Sequence, residues 1–176
     1  RVGIGTTSPS SYDSSHDDLV VAGDGNRGIS IISATDGNAT LAFGDGTSGD
    51  AAYRGMIAYL NDGDAGMTFR TSALERMRIN GSGYVGIGLT PTQMLHVEAD
   101  DGECDNTWLS WMQNKEATDG RNYGLRISAG STSSDTAFFV QDHDASNDYF
   151  IVRGNGNVGI GTTAPDNHKL HIDGNA

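Results

Sequence analysis

The chain has 176 residues, of which only 36% are hydrophobic and 25 are glycine, and its formal net charge is −12. Ordering costs roughly 1–2 kcal/mol per residue in backbone entropy, so so polar a chain is poorly equipped to hold a large private core, and an obligate oligomer is expected. The acidity argues against a nucleic-acid surface, which needs clustered Lys and Arg, and no apolar run approaches membrane-spanning length.

The chain opens on Arg1-Val2-Gly3-Ile4-Gly5-Thr6-Thr7-Ser8-Pro9. Val2 and Ile4 alternate with glycine, as a short strand would, and Pro9 ends it because proline cannot donate to a ladder. Glycine inside a strand is unfavourable unless something comes close, so close backbone approach is expected here. Residues 10–18 are Ser- and Asp-rich and read as a loop. Leu19-Val20-Val21 is a strand, stopped by Gly23-Asp24-Gly25-Asn26. A strand is expected at 28–33, with Ile29 and Ile31 on one face, then a turn at Thr35-Asp36-Gly37-Asn38. Further strands are expected at 40–43, 53–60, 66–70 and 75–79. Gly81-Ser82-Gly83 then leads into Tyr84-Val85-Gly86-Ile87-Gly88-Leu89-Thr90-Pro91, the second copy of the opening motif.

The order then returns. Residues 94–98 match 19–22, and residues 108–112 match 29–32, although Trp108, Trp111 and Met112 would also suit a helix face. Ala117-Thr118-Asp119-Gly120 repeats Ala34-Thr35-Asp36-Gly37. Strands are expected at 123–128, 136–140 and 149–152. Gly154-Asn155-Gly156 leads into the third copy, Asn157-Val158-Gly159-Ile160-Gly161-Thr162-Thr163-Ala164-Pro165, and Lys169-Leu170-His171-Ile172 repeats Met94-Leu95-His96-Val97. The expected fold is all-β, an elongated tandem array of units of about 75 residues in which each unit mainly meets its neighbours. Its expected divisions are 1–18 (the end of a preceding repeat and a loop), 19–91, 92–165 and the start of a third unit at 166–176. The chain opens inside a motif copy, so the lack of a visible signal peptide carries little weight.

V-G-I-G-T-T-x-P, followed by K/M-L-H-V/I, resembles the repeat of bacteriophage tail-fibre and related virion-fibre proteins, often found upstream of an endosialidase-type intramolecular chaperone domain. The resemblance covers residues 2–9, 85–97 and 158–172. It implies a parallel homotrimer, located in the virion tail fibre, with strands of three chains packed about a common axis. The implied partners are other copies of the chain, other fibre or baseplate proteins and host-surface glycans. On that basis Val2, Ile4, Val85, Ile87, Leu95, Val97, Val158, Ile160, Leu170 and Ile172 would fill the inter-chain core. Gly86 and Gly88 would let a neighbouring strand or loop pass closely. Two rivals belong to other classes: a tailspike-like glycan hydrolase, and a repeat module of a bacterial surface adhesin or extracellular filament.

Little else in the chain carries chemistry. Gly81–Gly86 and Gly154–Gly159 satisfy G-x-G-x-x-G, but a dinucleotide site needs a following helix, and a strand follows here. No cofactor is expected. His96 and His171 share one repeat position, where three imidazoles on an axis could hold a metal; alternation with Leu95 and Val97 turns them away from the core instead. Asp62 and Asp64, and Asp142, Asp144 and Asp148 beside His143, gather carboxylates in matching turns. Ca²⁺ takes six to eight oxygens. Neither cluster has EF-hand spacing, so turn chemistry is expected, with Asp62, Asp64, Asp142 and Asp144 the Ca²⁺ candidates. Glycan hydrolysis needs two converging acids in a cleft, and no single pair stands out in the sequence. Tyr53, Tyr59, Trp108, Trp111 and Phe139 could stack on sugars but are expected in the core. Asn38-Ala39-Thr40 is a sequon read as a turn. Cys104 stands alone, so no intrachain disulfide forms and the thiol is a spectator.

Overall fold

The computed structural model describes residues 1–61, 63, 65–99, 107–116, 123–165 and 168–174. Among these residues the chain is all-β, with short 3₁₀ turns at Pro9–Ser11 and Gly49–Tyr53. It divides into two compact units, Arg1–Leu109 and Ser110–Ala176. The first contains β1 (Val2–Ile4), β2 (Leu19–Val21), β3 (Ala39–Phe43), β4 (Gly55–Leu60), β5 (Gly66–Thr71), β6 (Leu74–Asn80), β7 (Val85–Ile87) and β8 (Leu95–Val97). The second contains β9 (Thr136–Gln141), β10 (Asp148–Arg153), β11 (Val158–Ile160) and β12 (Leu170–Ile172). Strands β1 and β2 form a parallel pair. Strands β3 to β8 form one sheet in chain order, antiparallel until the final parallel pair β7–β8. Strands β9 to β12 repeat that ending, with β12 parallel to β11 at the edge. The divisions expected after residues 18, 91 and 165 therefore fall in loops that join hydrogen-bonded strands.

The register sorts side chains by face, because residues paired across a ladder point the same way. In the six-stranded sheet two complete rows are apolar: Leu41–Ile57–Phe69–Met77–Ile87–Val97 and Ala39–Tyr59–Met67–Ile79–Val85–Leu95. The row between them, on the opposite face, is Thr40–Ala58–Thr68–Arg78–Gly86–His96. Burial is the reverse of the usual arrangement. Ala58 and Thr68, at 1% and 0% exposure, lie on the polar face, whereas none of the twelve apolar-row residues is buried. The four-stranded sheet follows suit. Its rows Val140–Phe150–Ile160–Ile172 and Phe138–Val152–Val158–Leu170 are unburied, while Ile151, at 2% exposure, sits in the intervening row Phe139–Ile151–Gly159–His171.

Three expected strands do not form. Residues 28–33, 108–112 and 123–128 carry strand-like side chains but have no ladder partner among the described residues. Their apolar groups are correspondingly exposed, Trp108 to 78% and Ile32 to 89%. A strand is defined by its partner's hydrogen bonds, and alternation alone supplies none. The aromatics expected in the core are likewise exposed: Tyr53, Tyr59, Trp108, Trp111 and Phe139 all retain large accessible areas. The 53–60 strand begins later than expected, at Gly55, because residues 49–53 form the 3₁₀ turn. Asp62, Asp64, Cys104 and the repeated turn at 117–120 lie outside the described residues.

Candidate functional site

Each motif copy builds the same small device. Val2, Gly3 and Ile4 pair with Leu19, Val20 and Val21; Val85, Gly86 and Ile87 with Leu95, His96 and Val97; Val158, Gly159 and Ile160 with Leu170, His171 and Ile172. The hydrogen bonds flanking each pair also recur. Val2, Val85 and Val158 donate their amides to the carbonyls of Asp18, Met94 and Lys169, and Ala22, Glu98 and Asp173 donate to those of Ile4, Ile87 and Ile160. Parallel neighbours usually need a crossover of about a dozen residues. Here seven suffice between β7 and β8 and nine between β11 and β12. Strands of three residues span only about 10 Å, so the chain has little distance to retrace.

The glycines make that retracing sterically feasible, and the close backbone approach expected at them is found. The group passing close to Gly86 and Gly88 belongs to the same chain. A Cβ on Gly3 would stand 2.6 Å from the Thr6 carbonyl oxygen, and one on Gly86 would meet the Leu89 carbonyl and stand 2.8 Å from Pro91 Cδ. Gly159 faces the Thr162 carbonyl in the same way. The second glycine of each copy, Gly5, Gly88 or Gly161, has φ of +77°, +88° or +70° and abuts the carbonyl of Ala22, Glu98 or Asp173. In the first and third copies a threonine fixes the loop further: Thr6 Oγ1 accepts from the Ser8 amide and Thr162 Oγ1 from the Ala164 amide, both at 3.2 Å.

The loop covers the glycine face and leaves the aliphatic face bare. Val2, Ile4, Ile87, Leu95, Ile160, Leu170 and Ile172 are exposed, Leu95 to 67%; Val85, Val97 and Val158 are half-buried. All ten lie on the apolar rows or their β1–β2 counterpart. Leu19 and Val21 complete that counterpart face and were not among the expected core residues. The larger omission is the rest of the rows. Alternation in Leu41-Ala42-Phe43, Ile57-Ala58-Tyr59 and Met67-Thr68-Phe69 signals one apolar face per strand, but its continuity across six strands depends on register.

The histidines turn onto the loop side, as the alternation requires. His96 Nδ1 lies 3.3 Å from Thr92 Oγ1, its Nε2 lies 3.4 Å from Glu98 Oε2, and His171 Nδ1 lies 3.3 Å from the Ala164 carbonyl. The G-x-G-x-x-G segments are hairpins running into strands. Gly83 and Gly156, at φ +82° and +83°, donate to the Asn80 and Arg153 carbonyls and close equivalent turns.

In the second acidic turn, Asp142 spends its carboxylate locally. One oxygen accepts the Asn147 amide at 3.0 Å, and the other accepts the Asn147 side chain and the Ser146 hydroxyl. Asp144 accepts the Ser146 amide at 3.1 Å. The Asn147 amide above all, with its side chain and Ser146, holds the Asp142 carboxyl well below the usual carboxylate range. A depressed folded value means the turn is fully supported above the unfolded Asp pKa of about 3.9 and loses that support as pH falls towards the folded one. Asp142→Ala is expected to speed amide exchange across β9 and β10 at neutral pH while leaving β3–β6 unchanged, as residue-resolved hydrogen exchange would show. No cluster of three metal-ligating side chains occurs among the described residues, nor is any helix there long and apolar enough to cross a membrane. No protein-family model matches the chain, and no curated protein matches it.

Proposed function

We propose that the chain is a structural, non-enzymatic segment of a trimeric fibre of the phage-tail type. In this role it holds a host-recognition element away from the particle, and its loops contribute to contact with surface glycans. The observation that carries the proposal is the pair of apolar sheet faces, which are continuous across every strand of their sheets yet unburied within the chain. Full burial of a Leu, Ile or Phe side chain is worth about 1.5–3 kcal/mol. Leaving so many of them in water is unfavourable unless copies of the chain cover them, and apolar patches beyond a few hundred Å² mark interaction surfaces. Unpaired stretches such as 28–33 and 123–128 find ladder partners on neighbouring chains in the same arrangement. Trimer stoichiometry and virion location come from the motif resemblance, which the identical geometry of the three parallel pairs supports. The tandem, elongated organisation rests on the same recurrence.

Light scattering of the purified chain is expected to give the mass of three 18.5-kDa chains. A monomer at micromolar concentration that melts cooperatively would refute the proposal.

A further inference from the structure

The second unit contains a cleft of about 750 Å³ whose lining includes Ser133, Arg153, Asn155, Asn157, Thr163 and Lys169. Two cations converge there in a chain of net charge −12, and neither has a carboxylate partner among the described residues. Arg153 donates to Thr136 Oγ1 and to the Thr163 carbonyl, and Lys169 to the Asn155 carbonyl at 3.0 Å. These bonds use two of the five guanidinium donors and one of the three ammonium donors. The nearby Asp135 forms no ion pair with either cation; its Oδ2 accepts from the Ser131 and Thr132 amides and the Thr132 hydroxyl.

Comparison with the first unit sharpens the point. In the equivalent hairpin Asn80 occupies the place of Arg153, and Met94 precedes β8 where Lys169 precedes β12. The first unit thus builds the equivalent hairpin and parallel pair without either cation. Arg153 and Lys169 also share the parity of Ile151 and His171, which places them on the loop-covered face, away from Phe150, Val158 and Ile160. Assembly through the apolar rows leaves the cleft open.

We propose that this cleft binds an acidic saccharide of the uronic- or sialic-acid class. Arg153 and Lys169 take the carboxylate through charge-assisted hydrogen bonds, and the surrounding amide and hydroxyl groups take ring hydroxyls. The volume falls within the roughly 300–1,000 Å³ of small-ligand sites and far exceeds what a simple anion fills. Recognition of an acidic glycan rests on the host-surface role proposed above, but every residue involved belongs to one chain, so sugar titration and the mass measurement can fail separately.

The test is calorimetric titration of the full chain with glucuronic acid and with N-acetylneuraminic acid, against glucose and sodium sulfate. Saturable binding of at least one acidic sugar is expected, about tenfold or more tighter than glucose or sulfate. Lys169→Met, which installs the first unit's residue, and Arg153→Gln should each weaken it about tenfold, with Lys169→Met leaving the assembled mass unchanged. Lack of saturable binding to both acidic sugars, sulfate binding as tightly as the sugars, or undiminished binding in Lys169→Met would each overturn the assignment. So would a loss of assembled mass in Lys169→Met, since the cation would then be serving an inter-chain ion pair.

Discussion

Ile87→Asp is expected to abolish assembly. Ile87 sits in the fifth position of the row Leu41–Ile57–Phe69–Met77–Ile87–Val97, and in the isolated chain 43% of its surface is accessible. A carboxylate there remains solvated in the monomer, and the backbone ladder that sets Ile87 beside Met77 and Val97 does not involve the substituted side chain. In an assembly that closes over the apolar rows the same carboxylate is buried without a partner, at an effective cost of several kcal/mol per ion, and every copy incurs it. The wild-type chain should therefore elute and scatter as an oligomer, and the variant should lose that oligomeric mass. Ser82→Asp is the matched control. Ser82 lies in the exposed β6–β7 hairpin, where it contributes only its backbone amide to Asn80 Oδ1, so adding the same charge there should leave the mass unchanged. An Ile87→Asp oligomer of unaltered size would show that the apolar rows are not the assembly face.

Gly88→Ala is expected to be strongly damaging, and for a reason internal to one chain. Two penalties coincide at this position. Its φ of +88° is sparsely populated for any residue with a Cβ, at about 1–3 kcal/mol, and the added methyl collides with the Glu98 carbonyl. Overpacking of this kind typically costs about 1–3 kcal/mol more, because backbone rather than a flexible side chain has to move. Domain stabilities are only about 5–15 kcal/mol, so the melting midpoint should fall by roughly 5–20 °C. Two control glycines separate the contributions. Gly25 has φ +83° with nothing within 4 Å of its would-be Cβ, so Gly25→Ala pays the backbone penalty alone; Gly63 is open without that φ and should be neutral. A Gly88→Ala chain as stable as Gly63→Ala would mean that the loop does not close over the parallel pair as described.

The same two positions show how much the sequence could convey. Val85-Gly86-Ile87-Gly88 and its relatives announce a strand with close backbone approach, and both features are found. The sequence did not reveal what does the approaching. A glycine reports that space is needed, whereas the occupant depends on how a seven-residue loop returns over its own strand. Asp142 is a similar case: turn chemistry was legible from Asp, Ser and Asn in sequence, because those side chains bond to groups a few residues away. Arg153 and Lys169 lie 16 positions apart and carried no local signal, although a position-by-position comparison of the repeats would have flagged them against Asn80 and Met94.

By itself, the sequence determined the all-β character, most strand positions, the threefold recurrence of the V-G-I-G motif and the outward turn of His96 and His171. All of these follow from period-two alternation, turn residues and proline, which act over a few bonds. Tertiary structure alone decided the register that aligns Leu41, Ile57, Phe69, Met77, Ile87 and Val97 into one row. It also decided which stretches stay without a ladder, and that the polar face is the covered one. Those outcomes depend on pairing between residues far apart in the chain, and hydrogen bonds between backbones leave no mark in the identities of the side chains they align.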